Sequence, residues 1–182
     1  AMDVFEQNWQ SIVQTIQYGG YADLIDQLDE KMNRLSHIPV KKSPELVPKI
    51  LLTGEIFVRR DSLSRQSLTE WLAENGFAVI CSPVSEWIRY SDYMIYTDPL
   101  WKNKPFSEKI RFHLRQWLMK LYEKRLGSSM SQSRLVDSRC VDIHHIINTA
   151  SRYLSPDLGG EAILTIGSSI VEIATYVCGV IA

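Results

Sequence analysis

The first part of the chain carries apolar residues at helical spacing in two segments, residues 4–16 and 21 to about 35. In each segment these positions recur every three or four residues, so they fall on one face of a helix. A glycine pair separates the two segments, and prolines between residues 39 and 48 disfavour helix after them. The pattern therefore predicts a helical hairpin and a connector over residues 1–47.

A different pattern begins at residue 48, where short apolar runs alternate with longer segments of helical spacing. A short continuous apolar run is typical of a strand in a parallel sheet, because such a strand is covered on both faces. The sequence thus predicts an α/β fold over residues 48–182, with a Rossmann-like parallel sheet flanked by helices. The predicted strands are 49–52, 77–84 and 178–182, and the predicted helices are 64–75, 106–126, about 139–154 and 161–176.

The last predicted strand reaches Ala182 with no loop after it. Buried strands rarely end a chain, because termini normally reach solvent. We therefore expect the α/β domain to be truncated at its C-terminal end. The chain would then be a fragment, with the remainder of its own longer chain among its partners.

Polar residues follow the first predicted strand, at the edge of a parallel sheet where ligands bind. Gly54 and Glu55 come directly after this strand, and Arg59 and Arg60 lie a few residues further on. A carboxyl partly desolvated in a crevice can have a raised pKa, which makes Glu55 the candidate catalytic acid. The alternative is that Glu55 pairs with one of the arginines and shapes the loop. The arginine forks suit a carboxylate or a phosphate, so Gly54, Arg59 and Arg60 are candidate ligand-binding residues.

The segment after the second predicted strand leads towards the same edge of the sheet. Its hydrogen-bonding side chains Ser85, Glu86 and Tyr90 are further candidate ligand-binding residues. Gly160 precedes the last predicted helix, where a glycine can let a phosphate approach backbone N–H groups. We therefore include Gly160 in the candidate site.

Composition narrows the class of protein. The formal net charge of −1 gives no overall reason to expect binding to nucleic acid or to an anionic membrane. No apolar segment approaches the roughly 20 residues that cross a bilayer, and the first residues do not resemble a secretion signal. We expect a cytoplasmic protein whose three widely spaced cysteines are reduced.

The predicted helix 106–126 has two distinct faces. Apolar residues that include Ile110, Leu114 and Trp117 form the face predicted to point inward. The opposite face is either solvated or docks an acidic partner or ligand phosphates. Its basic residues are Lys109, Arg111, Arg115, Lys120, Lys124 and Arg125.

No metal site is expected from the residues of this chain. His144 and His145 are adjacent, so they point in different directions around a helix and do not chelate one ion together. The acidic residues of segment 21–35 are spaced as a solvated helix face. Hard cations instead need oxygens that converge from a shaped loop.

Four segments together resemble the large proteins associated with acyl-CoA dehydratase activases. They are Leu51-Leu52-Thr53-Gly54-Glu55-Ile56, Trp71-Leu72-Ala73-Glu74-Asn75-Gly76-Phe77-Ala78-Val79, Pro83-Val84-Ser85-Glu86-Trp87 and Gly159-Gly160-Glu161-Ala162-Ile163-Leu164-Thr165-Ile166-Gly167. Such proteins are related to the activator of 2-hydroxyglutaryl-CoA dehydratase, and they carry a region similar to the dehydratase and benzoyl-CoA reductase subunits. The resemblance covers roughly residues 48–182.

The resemblance implies an anaerobic system in which ATP drives a low-potential electron from an iron–sulfur activator to a dehydratase or reductase. In the dehydratase subunits, cysteines at strand ends hold the cluster, whereas the corresponding positions here are near Val84 and Ser85. We therefore expect no cofactor in this chain, since thiolates must converge on the irons. ATP and the cluster would belong to the parent system.

The resemblance favours a docking or regulatory module, with dehydratase or reductase subunits as partners, over a complete catalyst. One alternative is an enzyme domain that uses Glu55 and Arg59 on an acyl-CoA or a nucleotide. Another is a structural interaction domain with a vestigial pocket, whose binding depends on helix 106–126. Saturable binding of a CoA ester that Glu55→Ala or Arg59→Ala abolishes would favour the enzyme domain. Binding only to a partner protein, sensitive to changes on helix 106–126, would favour the interaction domain.

Overall fold

The computed structural model describes residues 2–136, 138, 140–158 and 160–182. Arg139, at the start of one predicted helix, and Gly159, in a resembling segment, lie outside the described residues. The helices are α1 (Met2–Tyr18), α2 (Tyr21–Ser36), α3 (Ser62–Arg65), α4 (Leu68–Glu74), α5 (Val84–Thr97), α6 (Phe106–Ser131), α7 (Ile143–Ala150) and α8 (Ala162–Thr175). The strands are β1 (Lys49–Leu52), β2 (Ala78–Cys81) and β3 (Gly179–Ile181), and short 3-10 helices cover Pro44–Leu46 and Pro99–Asn103.

All three strands are parallel, and their order in the sheet is β2-β1-β3. Leu52 at the end of β1 lies beside Cys81 on one side and Ile181 on the other. The prediction of an α/β protein with a small parallel sheet flanked by helices is therefore confirmed. Most of the described chain is helical.

The chain divides into two compact units. Residues 1–44 and 104–140 form one, here called the helical unit, and residues 45–103 and 141–182 form the other, the α/β unit. The sequence placed the first boundary at 47/48 and assigned all of 48–182 to the sheet domain. The observed division instead gives α6 to the same unit as the hairpin.

In the helical unit, α6 packs on the hairpin of α1 and α2. Ile12, Leu28, Met32 and Leu35 form its buried cluster, with Leu126 of α6 against it. The Asp29 carboxylate of α2 accepts hydrogen bonds from Arg125 at 3.0 Å and from Gln132 at 2.8 Å. These contacts explain why α6 belongs to this unit.

The inward face predicted for α6 is wrong. Ile110 and Leu114 are each 52% exposed and Trp117 is 59% exposed, whereas the buried residues of α6 are Phe112 and Ser129. The helix also continues through a glycine–serine segment to Ser131, beyond its predicted end at residue 126.

In the α/β unit, α5, α7 and α8 share one apolar core. Its buried members are Tyr90, Ile143, Ile146, Ile147, Ala150, Ile163 and Leu164. The observed α7 is shorter than the predicted helix 139–154, and β2 is shorter than the predicted strand 77–84. Pro83 has no N–H for the sheet and instead precedes the first residue of α5.

The connection from β1 to β2 contains two helices where the sequence predicted one over 64–75. Gln66 has a φ of +49°, which separates α3 from α4. After α4, the N–H of Gly76 donates to Ala73 O and that of Phe77 donates to Leu72 O, both at 3.0 Å. This is a Schellman ending, and Gly76 takes the positive φ of +86° that it requires.

Among the described residues, no helix has both the length and the apolar character that crossing a membrane requires.

Candidate functional site

Two buried hydroxyls lie just beyond the carboxyl ends of neighbouring strands. Thr53 follows β1 and donates its N–H to Ile181 O at 2.9 Å, while Ser82 follows β2 and donates its N–H to Leu52 O at 3.0 Å. Thr53 is 3% exposed and Ser82 is 1% exposed. Neither hydroxyl has a hydrogen-bond partner in the described part of the chain. Two unpaired hydroxyl groups therefore lie at the same edge of the sheet.

Gly54 and Glu55 build the turn that leaves β1. Gly54 has a φ of +99°, a conformation that glycine adopts without steric cost. The exposed Glu55 uses its Oε2 to accept hydrogen bonds from the N–H groups of Phe57 at 3.0 Å and Val58 at 2.9 Å. In this arrangement the Glu55 carboxylate shapes the turn through backbone groups.

The two arginines of this segment have different surroundings. Arg60 is exposed, and its Nη2 donates to Ser82 O at 3.0 Å, which ties the segment to the end of β2. Arg59 is only 3% exposed, and its Nε and Nη2 have no hydrogen-bond partner among the described residues. Cys81 Sγ approaches Arg59 O at 3.8 Å. Arg59 is therefore a buried cation near the edge of the sheet, and the N–H groups of its Nε and Nη2 are unpaired in the described chain.

Glu86 supplies the buried acid of the cluster. It lies in the first turn of α5 and is 2% exposed. Burial raises the pKa of the Glu86 carboxyl, while the Arg59 guanidinium and the Ser168 hydroxyl oppose this rise. The negative charges of Glu172 and Glu161 raise the pKa further. The Ser168 hydroxyl lies beside this carboxyl without forming a hydrogen bond of good geometry.

Tyr90 follows Glu86 by four residues, so both side chains lie on one face of α5. Tyr90 is 7% exposed, and its hydroxyl has no hydrogen-bond partner in the described chain. Burial raises the pKa of Tyr90, and the nearby Tyr93 and Glu161 raise it further. Ser85 is half-buried, and it does not cap α5, because Pro83 precedes the helix and no side chain caps it.

The start of α8 lies against the segment that follows β1. Glu161 precedes the helix, and its Oε2 accepts a hydrogen bond from Ile56 N–H at 3.0 Å. Gly160 is exposed with a φ of +94°. Ser168 lies two turns after Glu161 on the same face of α8, and it is 2% exposed. The segment after β1 and the start of α8 are therefore joined directly.

Several predicted site residues thus lie in one part of the α/β unit, with different surroundings. Arg59, Glu86 and Tyr90 are buried in the polar cluster, whereas Glu55 and Arg60 hold the surrounding backbone. Gly54 forms the turn after β1, Ser85 is half-buried in α5, and Gly160 lies beside Glu161.

Four polar residues at this edge were not among the predicted site residues. Thr53 and Ser82 could have been found, because each directly follows an apolar run and must lie at a strand end. Glu161 and Ser168 share a helix face, which their spacing shows. That spacing does not show which side of the sheet α8 covers.

No three His, Cys, Asp or Glu side chains in residues 2–136, 138, 140–158 and 160–182 are grouped so as to hold a metal ion. Cys81, Cys140 and Cys178 form no disulfide. Cys178 Sγ donates to Lys49 O at 3.2 Å, and Cys140 Sγ lies 3.5 Å from Glu123 Oε2.

One buried cation and one buried hydroxyl lie close to the buried acid, and three further hydroxyls of the α/β unit are buried and unpaired in the described chain. Buried polar groups are nearly always hydrogen-bonded in proteins, so these groups are expected to have further polar partners, which can be water or a ligand. The guanidinium and hydroxyls can donate to an oxyanion, and a carboxyl with a raised pKa can hold a proton at higher pH than usual. The arrangement is suited to binding a small polar group.

Comparisons of the chain with protein-family models, curated proteins and solved structures found no match.

Proposed function

We propose that the chain is the dehydratase-like part of a protein related to the activators of 2-hydroxyacyl-CoA dehydratases and benzoyl-CoA reductases. It acts as a docking or regulatory module rather than as a complete catalyst. In this proposal the small parallel sheet belongs to a Rossmann-like domain. The parent system is cytoplasmic, and it supplies the ATP and the iron–sulfur cluster of a low-potential electron transfer.

Contacts between the resembling segments support this proposal. The segment 51–56 joins the segment 160–167 through the hydrogen bond from Ile56 to Glu161 at 3.0 Å. Glu86, from the segment 83–87, is close enough to Glu161 for that charge to raise its pKa. Three of the four segments that carry the resemblance therefore lie close to one another, which is the expectation for a shared functional site.

The observation that carries the docking role is the exposed face of α6. Ile110, Leu114 and Trp117 are each more than half exposed, although they follow one another at helical spacing. Exposed apolar patches bordered by polar residues mark interaction surfaces. Basic side chains of the same helix, including Arg111 and Lys120, border this face. A partner surface that is apolar and acidic is complementary to it, and the proposed partner is a dehydratase or reductase subunit.

The test is anaerobic titration calorimetry of the full chain with purified dehydratase or reductase subunits. We expect saturable binding that Trp117→Ser weakens at least about tenfold, because large aromatic side chains dominate interface energies. Trp71→Ser is the matched control, since Trp71 is 58% exposed and Trp117 is 59% exposed. Absence of binding to every subunit, or equal loss in both variants, would contradict the proposal.

A second candidate function is small-molecule binding by an enzyme domain, with an acyl-CoA or a nucleotide as ligand. The buried Arg59 with unpaired donors favours it. Saturable binding of an acyl-CoA that Arg59→Ala abolishes would support this function. Glu55→Ala tests whether the Glu55 carboxylate acts on the ligand or only shapes the turn after β1. The second role is the one that its observed hydrogen bonds indicate, because both are accepted from backbone N–H groups. Binding that both variants leave unchanged would contradict it.

A further inference from the structure

The unpaired edge of Arg59 has a defined geometry. Nε–H and the Nη2–H beside it point in parallel from one edge of the planar guanidinium, at a spacing that matches the two oxygens of a carboxylate. Both nitrogens are buried and lack a hydrogen-bond partner in the described chain. Because arginine stays protonated in proteins, leaving this edge unpaired in the interior is costly.

We propose that this edge of Arg59 binds the carboxylate of a small monoanionic ligand inside the α/β unit. The proposal rests on one part of the second candidate function, that Arg59 binds a ligand, and it takes a small monocarboxylate as that ligand in place of an acyl-CoA or a nucleotide. It is independent of docking through α6.

The charges around Arg59 favour a monoanion over a dianion. Glu86 is close enough to Arg59 for the guanidinium to lower its pKa, and Glu161 and Glu172 add negative charge near Glu86. Repulsion from these carboxyls grows with the charge of the ligand, so a phosphate dianion is disfavoured relative to a carboxylate. The planar pair of donors also fits a planar carboxylate.

The segment that carries Arg59 provides a route to the site. Between Gly54 and Asp61 the chain is built of turns, and Phe57 and Val58 are 77% and 54% exposed. Displacing this segment moves Arg59 with it and exposes the guanidinium while sacrificing little apolar burial, and such segments open locally at low free-energy cost. A ligand can therefore reach the guanidinium without unfolding of the apolar core.

The test is a nitrogen-15 NMR titration of the arginine Nε–Hε signals of the full chain. Sodium acetate and sodium benzoate are the probes, and sodium chloride and sodium phosphate are added at matched ionic strength as comparators. We expect a saturable shift of the Arg59 signal with both carboxylates, with apparent affinity at least about tenfold above that for chloride or phosphate. The signal of the exposed Arg152 serves as an internal reference.

Two variants test whether carboxylate binding depends on the guanidinium of Arg59. Arg59→Lys keeps the charge but removes the fork, so carboxylate affinity should fall at least about tenfold, whereas Arg152→Lys should leave it unchanged. If Arg59→Lys does not fold, triple-resonance assignment of the natural chain identifies the Arg59 signal and the titration decides alone. No shift, or an equal shift with chloride, overturns the inference. Acyl-CoA binding without carboxylate binding overturns it too, but leaves the second candidate function standing.

Discussion

Replacing Gly167 with alanine tests how closely α7 and α8 pack. A Cβ at this position would lie 2.4 Å from Ile146 O, 2.7 Å from Ile146 Cγ2 and 3.0 Å from Ile146 C. Real Cβ atoms essentially never come closer than 3.0 Å to such atoms, so the helices must separate by at least about 0.6 Å. Part of the obstacle is backbone, which cannot rotate away as a side chain can.

The expected cost follows from two opposing effects. Overpacking of a close-packed core costs about 1–3 kcal/mol, and the clash with a carbonyl favours the upper end. Alanine in place of glycine within a helix stabilises the folded state by about 1 kcal/mol. We expect Gly167→Ala to lower the free energy of unfolding by about 2 kcal/mol, and the melting temperature by roughly 4–8 °C for a chain of this size.

Urea and thermal unfolding followed by circular dichroism measure this change. Gly127→Ala in α6 is the matched control, because its Cβ would meet the movable Ser138 Oγ at 3.0 Å. The control should be neutral, or more stable by up to about 1 kcal/mol. If Gly167→Ala is as stable as the natural chain, α7 and α8 do not approach each other as closely as described.

Two further predictions concern the buried acid and a helix end. Because burial raises the pKa of Glu86 in the folded state, stability from this group is greatest below its unfolded pKa of about 4.3 and is lost as pH rises through the folded value. Glu86→Gln should therefore gain stability relative to the natural chain in urea titrations as pH rises above the unfolded value, and a difference that does not change with pH would contradict the raised pKa. Gly76→Ala should cost about 1–2 kcal/mol in the same assay through backbone strain alone, because its φ is +86° and its Cβ would meet nothing within 4 Å. A neutral result would mean that α4 ends differently.

Much of the fold could be predicted because local patterns determine it. The hairpin of α1 and α2 shows helical periodicity, and the parallel strands are short apolar runs between turn residues. The ending of α4 was also readable, since Asn75 and Gly76 tolerate the left-handed conformation that closes a helix.

The assignment of α6 could not be read in this way. Its sequence carries an apolar face, but periodicity does not say which unit covers that face or whether any part of this chain does. The contacts of Asp29 with Arg125 and Gln132, which attach α6 to the hairpin, join residues about a hundred positions apart. Such pairings depend on tertiary structure, and no local rule identifies them.

The candidate site was predictable in position and less so in detail. The rule that ligands bind beyond the carboxyl ends of parallel strands pointed to the part of the α/β unit in which Arg59, Glu86 and Tyr90 are buried. Burial distinguishes the residues within it. Glu55 and Glu86 are the same residue type near the same edge, yet one is exposed on a turn and the other is almost fully buried on α5. That difference follows from the helix face that packs against α8.

Turnover in an anaerobic dehydratase or reductase system, reconstituted with its ATP-driven activator, shows whether the chain acts as a docking or regulatory module. We predict that the chain changes the rate of acyl-CoA turnover saturably, that Trp117→Ser weakens this effect while Trp71→Ser does not, and that the chain alone converts no substrate. Turnover by the chain alone, or a rate that no concentration of the chain changes, would contradict a docking or regulatory role.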